Sequence, residues 1–164
     1  MIVLALTYSP IATTTLGSDT ASVTFSSISG SYTDLVLIVA GTVDATGNVG
    51  LRFNSDSGTN YSCTILYGDG TSAASANVTN DTYANCGGIG TGQSNSIINI
   101  MNYSNSTTYK TVLGRGNRPA DQVNAKVALW RNTAAITNIV VYPINGSSTW
   151  KTGSTFTLYG IKAA

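Results

Sequence analysis

The sequence contains no histidine, and its seven acidic residues are all Asp, set against eight Lys and Arg. Without His, the Ser-His-Asp and Cys-His nucleophile systems, His-containing zinc sites and the commonest general base are excluded. Two cysteines, Cys63 and Cys86, cannot complete a thiolate zinc site and lack the close spacing of a metal knuckle. They read as buried or incidental thiols, and the sequence does not say whether they pair. A carboxylate pair of the glycosidase kind is what remains, and a sequence does not give its separation. Most of the Asp, however, stand beside Gly, Ser, Asn or Thr, where Asp caps turns and tolerates unusual backbone angles. That reading outweighs catalysis. No catalytic, cofactor-binding or metal-binding residue is assigned, no cofactor is expected, and the expected role is non-enzymatic.

Weaker motifs reduce in the same way. Asn54-Ser-Asp56-Ser-Gly58-Thr-Asn60 spaces oxygen ligands at alternate positions, as a calcium loop does, but lacks the terminal bidentate Glu, so a tight turn is the stronger reading. Gly87–Gly92 follows no strand-then-helix phosphate pattern and reads as a flexible or tightly packed loop. Asn-x-Ser/Thr triplets begin at Asn60, Asn77, Asn80, Asn102, Asn105 and Asn145; chance explains them in a chain so rich in these residues. Nine Tyr and two Trp could form sugar-binding or base-stacking platforms, although aromatics more often serve cores and subunit interfaces.

The elements that must carry these residues are strands. Only 9% of the residues are charged, against roughly 25% in an average soluble protein. The abundant Thr, Ser, Asn, Gly and Tyr favour strands and turns over helices. Segments rich in Val, Ile, Thr, Tyr and Phe recur about every ten residues between turn clusters, as in an antiparallel sandwich or barrel. Strands are expected near 11–16, 21–25, 35–42, 49–53, 61–67, 96–103, 109–115, 125–131, 136–142 and 155–161. The expected fold is an all-β, antiparallel two-sheet β-sandwich, jelly-roll-like, with about ten strands. Residues 1–164 form a single domain on this reading, with a long Gly/Ser/Asn-rich excursion at about 68–95. Leu35–Ala40 is continuously apolar, so this strand should be covered on both faces, or buried on one and in contact with a neighbour on the other.

A net charge of +1 gives no general attraction for nucleic acid or anionic membrane. No apolar run approaches a membrane span, and the opening Met1–Leu6 lacks a basic leader and a cleavage site, so a soluble, unprocessed chain is expected. The run Met1–Tyr8 could instead add a strand to a neighbour. The charges are unevenly placed: before residue 100 six Asp face only Arg52, and after it seven Lys and Arg face only Asp121. Either the two parts interleave in the sandwich or they give head-to-tail complementarity between subunits. A surface of hydroxyls and amides suits a chain covered by neighbours, because hydroxyls cost less to desolvate than ions.

Five segments carry a resemblance: Phe25–Ile28 with Tyr32–Leu35, Leu51–Asn54 with Asn60-Tyr61, Ile98–Tyr103, Leu129–Ile136, and Gly153-Ser-Thr-Phe-Thr-Leu-Tyr-Gly-Ile161. In this order, along nearly the whole chain, they resemble a family of small tailed-bacteriophage virion proteins common in marine and cyanobacterial phage genomes. The resemblance implies a β-sandwich structural protein of the virion, without catalytic residues. It is either a capsid decoration (cement) protein on the capsid surface or a tail-fibre or head-fibre component. Cement implies binding at junctions of the major capsid protein, self-association as a homotrimer, and an apolar underside; a fibre implies a concave aromatic site for a host glycan.

Overall fold

A computed structural model describes residues 7–162. Over these residues the chain is all-β and without helix. Its strands are β1 (Tyr8–Thr15), β2 (Val23–Phe25), β3 (Asp34–Gly41), β4 (Gly47–Phe53), β5 (Tyr61–Gly68), β6 (Ala73–Asp81), β7 (Ala84–Ile89), β8 (Ser94–Ile100), β9 (Lys110–Arg118), β10 (Gln122–Trp130), β11 (Ile139–Ile144) and β12 (Thr155–Ile161). They form an eight-stranded sheet in the order β1-β12-β3-β8-β9-β10-β5-β6 and a four-stranded sheet in the order β2-β11-β4-β7. Every strand pairing is antiparallel. This is a two-sheet β-sandwich, and the expected jelly-roll likeness reaches no further than that.

All ten expected strands are present, and β8, β10, β11 and β12 show clear period-two burial. In β12, Phe156, Leu158 and Gly160 are buried while Thr155, Thr157 and Tyr159 are not. In β10, Asn124, Lys126, Ala128 and Trp130 point inward. The core between the sheets joins Leu35, Leu37, Val49, Leu51, Phe53, Ile98, Val112 and Val141 with the large rings. Phe53, Tyr61 and Trp130 are in mutual contact, and Trp150 meets Phe156 edge to face at 4.8 Å between centroids. Both Trp are fully buried. Of the two alternatives for Leu35–Ala40, double coverage holds only in part: Leu35, Leu37 and Val39 enter the core, and on the opposite face Val36 is also buried while Ile38 is 36% exposed.

The 68–95 segment corrects the expectation of a loop excursion. It carries β6 and β7, bringing the strand total among the described residues to twelve. Ala84–Ile89, with its glycines, is a strand buried at every residue. Its composition is a packing solution: a Cβ at Gly114 of β9 would overlap the Cys86 carbonyl group of β7, and one at Gly87 would overlap the Ser96 hydroxyl of β8. Only glycine lets the backbones of the two sheets approach this closely. β6 differs again, with Ala73–Asn80 exposed at every position. It extends past the cover of the four-stranded sheet, held to β5 by its ladder and by the turn at Asp69.

Candidate functional site

The carboxylates are the first candidates for chemistry, and the structure distributes them among turns and strand ends. Asp19 accepts from Lys151 Nζ and the Thr152 amide, Asp44 from Ser148 and Thr149, and Asp69 from Thr71 and Ser72. Asp34 accepts from the Asn102 amide, Asp81 from the Thr82 amide, and Asp121 from Arg118. Asp56 anchors the Asn54–Asn60 turn through Gly58 N, Asn60 Nδ2 and, at 2.7 Å, Trp130 Nε1. Burial opposes its ionisation, but these hydrogen bonds outweigh that effect and hold the carboxyl below its ordinary pKa. Asn54 and Ser55 take left-handed backbone angles, as a tight turn requires. No group of three or more Cys or Asp gathers among the described residues.

The charge asymmetry along the sequence interleaves on folding, at least in part. Asp19 pairs with Lys151 at 2.7 Å, joining the acidic and basic parts of the chain. Two further basic residues lie inside. Lys110 Nζ donates to the Thr108 and Thr133 carbonyls. Lys126 Nζ donates to Asn48 Oδ1 at 2.5 Å and Asn85 Oδ1 at 2.6 Å, and more weakly to the Gly87 carbonyl. Burial lowers the Lys126 pKa to about 8. The Cys63 and Cys86 thiols are free and buried, and burial raises the Cys63 pKa to about 11. Protonated thiols of this kind are poor nucleophiles, so the cluster supports the core.

The surface that stands out is the outer face of the eight-stranded sheet. Its residues are set by register. One row runs Tyr159, Val36, Asn99, Leu113, Val127 and Thr64 across β12, β3, β8, β9, β10 and β5. The next runs Thr157, Ile38, Ile97, Arg115, Ala125 and Leu66. Leu66 is 60% exposed, Val127 49%, Leu113 41% and Val123 63%, a contiguous set of aliphatic side chains with no cover. Leu66, Leu113 and Val127 line a depression of about 310 Å³ with Asn99 and Arg115. Among the described residues, Arg115 and Asp34 are the only charged strand residues directed out of this face.

Sequence reasoning missed this site because each outward residue alternates with a buried one, and alternation alone does not say whether the outward face meets water or a partner. The available signal was the apolar type of the outward positions in β10: Val123, Ala125, Val127 and Leu129. The expected strand-donating run at Met1–Tyr8 lies mostly outside the described residues; Tyr8 opens β1. The chain matches no protein-family model, and no curated protein matches it.

Proposed function

We propose that the protein is a structural subunit of a tailed-bacteriophage virion, a capsid decoration protein that lays the outer face of its eight-stranded sheet across junctions of the major capsid protein. The observation that carries this reading is that open, nearly uncharged aliphatic face, combined with the resemblance of the five segments. A contact of ordinary size buries ~800 Å² on each partner. A face that presents mainly Val, Leu, Ile, Thr and Asn, with Arg115 as the one ion in its two central rows, is covered while stripping water from few ions, so most of its burial contributes favourably. Repeated over a shell, weak contacts add up against outward pressure from packed DNA. Neither nucleic acid nor membrane is a partner in this reading. The fibre alternative gains no such support, since both Trp lie in the core and the depression on the face is lined mainly by aliphatic and amide side chains.

Mass spectrometry of separated heads and tails, followed by imaging, tests the proposal. Hundreds of copies confined to heads are expected. A few copies confined to tails would replace it with the fibre reading, and absence from particles would defeat both. The three-fold oligomer that the resemblance implies requires two different complementary surfaces on each copy, and it is the competing outcome to the two-fold pairing inferred below.

A further inference from the structure

Sheet edges decide which strands another chain can extend. Among the described residues four strands occupy edges: β1 and β6 of the larger sheet, β2 and β7 of the smaller. Three are guarded. β1 contains Pro10, which lacks an N–H, and its register with β12 shifts between Pro10 and Ala12; both devices block pairing. β2 has only three residues, and β7 is buried throughout. β6 has no proline and no charge before Asp81, and every residue from Ala73 to Asn80 is exposed. Its ladder with β5 is regular over Ala73–Val78 and shifts only beyond that.

We infer that two copies of the chain pair their β6 strands antiparallel about a two-fold axis at Ala76, joining the two eight-stranded sheets into one. The self-complementarity of the strand carries this. Side chains directly opposite across a ladder share a face, so Ala74, Ala76 and Val78 lie on the side of Tyr67, Ile65 and Cys63, and Ser75 and Asn77 on the other. A two-fold at Ala76 sets Ala74 against the second copy's Val78, and Ser75 against its Asn77. Apolar residues meet apolar, polar meet polar, and no like charges face each other. With the other three edges guarded, β6 has no different strand edge to join on a second copy, so the pairing is isologous. The inference does not depend on the capsid reading: a dimer without affinity for heads leaves it intact, and a monomer that decorates heads overturns it alone.

Sedimentation of the purified full chain over a concentration series is the first test, and a dimer is expected. Ala76→Lys places two ammonium groups side by side at the axis and is expected to weaken self-association at least about tenfold. Its own side-chain site is exposed, so far-UV circular dichroism and melting should match the wild type. Independently, Ala76→Cys should form an intermolecular disulfide on mild oxidation. Ala73→Cys, displaced from its own copy by ~20 Å at strand spacing, should not. A monomer at every concentration, a trimer, a dimer indifferent to Ala76→Lys, or failure of Ala76→Cys to cross-link overturns the inference.

Discussion

The ionisable residues of this chain act mainly as fasteners, and their pH behaviour follows from that. Ser148 and Thr149 hold the Asp44 carboxyl at about 2 against an ordinary 3.8. Its stabilising contribution is therefore complete above pH 3.8 and is lost as pH falls through about 2. Replacing Asp44 with Asn should lower the urea midpoint at neutral pH and flatten the acid limb of the stability curve between those values. Lys126 has the opposite sense: its folded pKa of about 8 lies below the ordinary 10.5, so above pH 8 the unfolded chain binds more protons. Stability then rises with pH until about pH 9, where ordinary thiols begin to ionise in the unfolded chain while Cys63 stays protonated. Urea midpoints of the wild type should rise between pH 8 and 9, and those of Lys126→Met should not. Trp130→Ala, which removes a fully buried ring and the Asp56 partner, should cost ~3–5 kcal/mol in a denaturation series.

At the scale of the strand, the sandwich depends on glycine as much as on its aliphatic residues. Gly114→Ala sets a methyl group against the backbone of Cys86, and neither sheet yields without losing its ladder. A loss of ~3 kcal/mol or more is expected, read from thermal melting of the soluble fraction. This contact also marks where sequence reasoning stops. Ten strands were legible because Val, Ile, Phe and Tyr alternate with Ser and Thr, the pattern of a half-buried pleat. β7 was hidden because Cys86-Gly-Gly has the composition of a loop, and only the backbone across the sandwich explains it. β6 was hidden because Ala-Ala-Ser-Ala-Asn-Val has no buried face to generate alternation. The turn roles of the aspartates were legible from their Gly, Ser and Thr neighbours, whereas the outer face required the strand register, which brings Leu66, Leu113 and Val127 together from three distant segments.

For the molecule as a whole, function and stability are assigned to different faces, which makes them separable. Val127→Asp alters a side chain half exposed on the outer face, so its effect on stability should stay within ~0.5 kcal/mol. Binding to purified heads, measured by co-sedimentation, should fall sharply. Equal losses in both measurements would return Val127 to a packing role. The described ends of the chain have a consequence of their own. Tyr8 sits opposite Ile161 in the ladder of β1 and β12, and the Lys162 amide donates to the Thr7 carbonyl. Both ends thus leave from one corner, seven strand spacings or ~34 Å from β6. A peptide or enzyme joined directly at Thr7 or at Lys162 would project from the same corner, clear of the strand inferred to join copies. A short linker from Lys162 back to Thr7 would close the chain, so that new ends could be opened at the exposed Asp69–Ser72 turn.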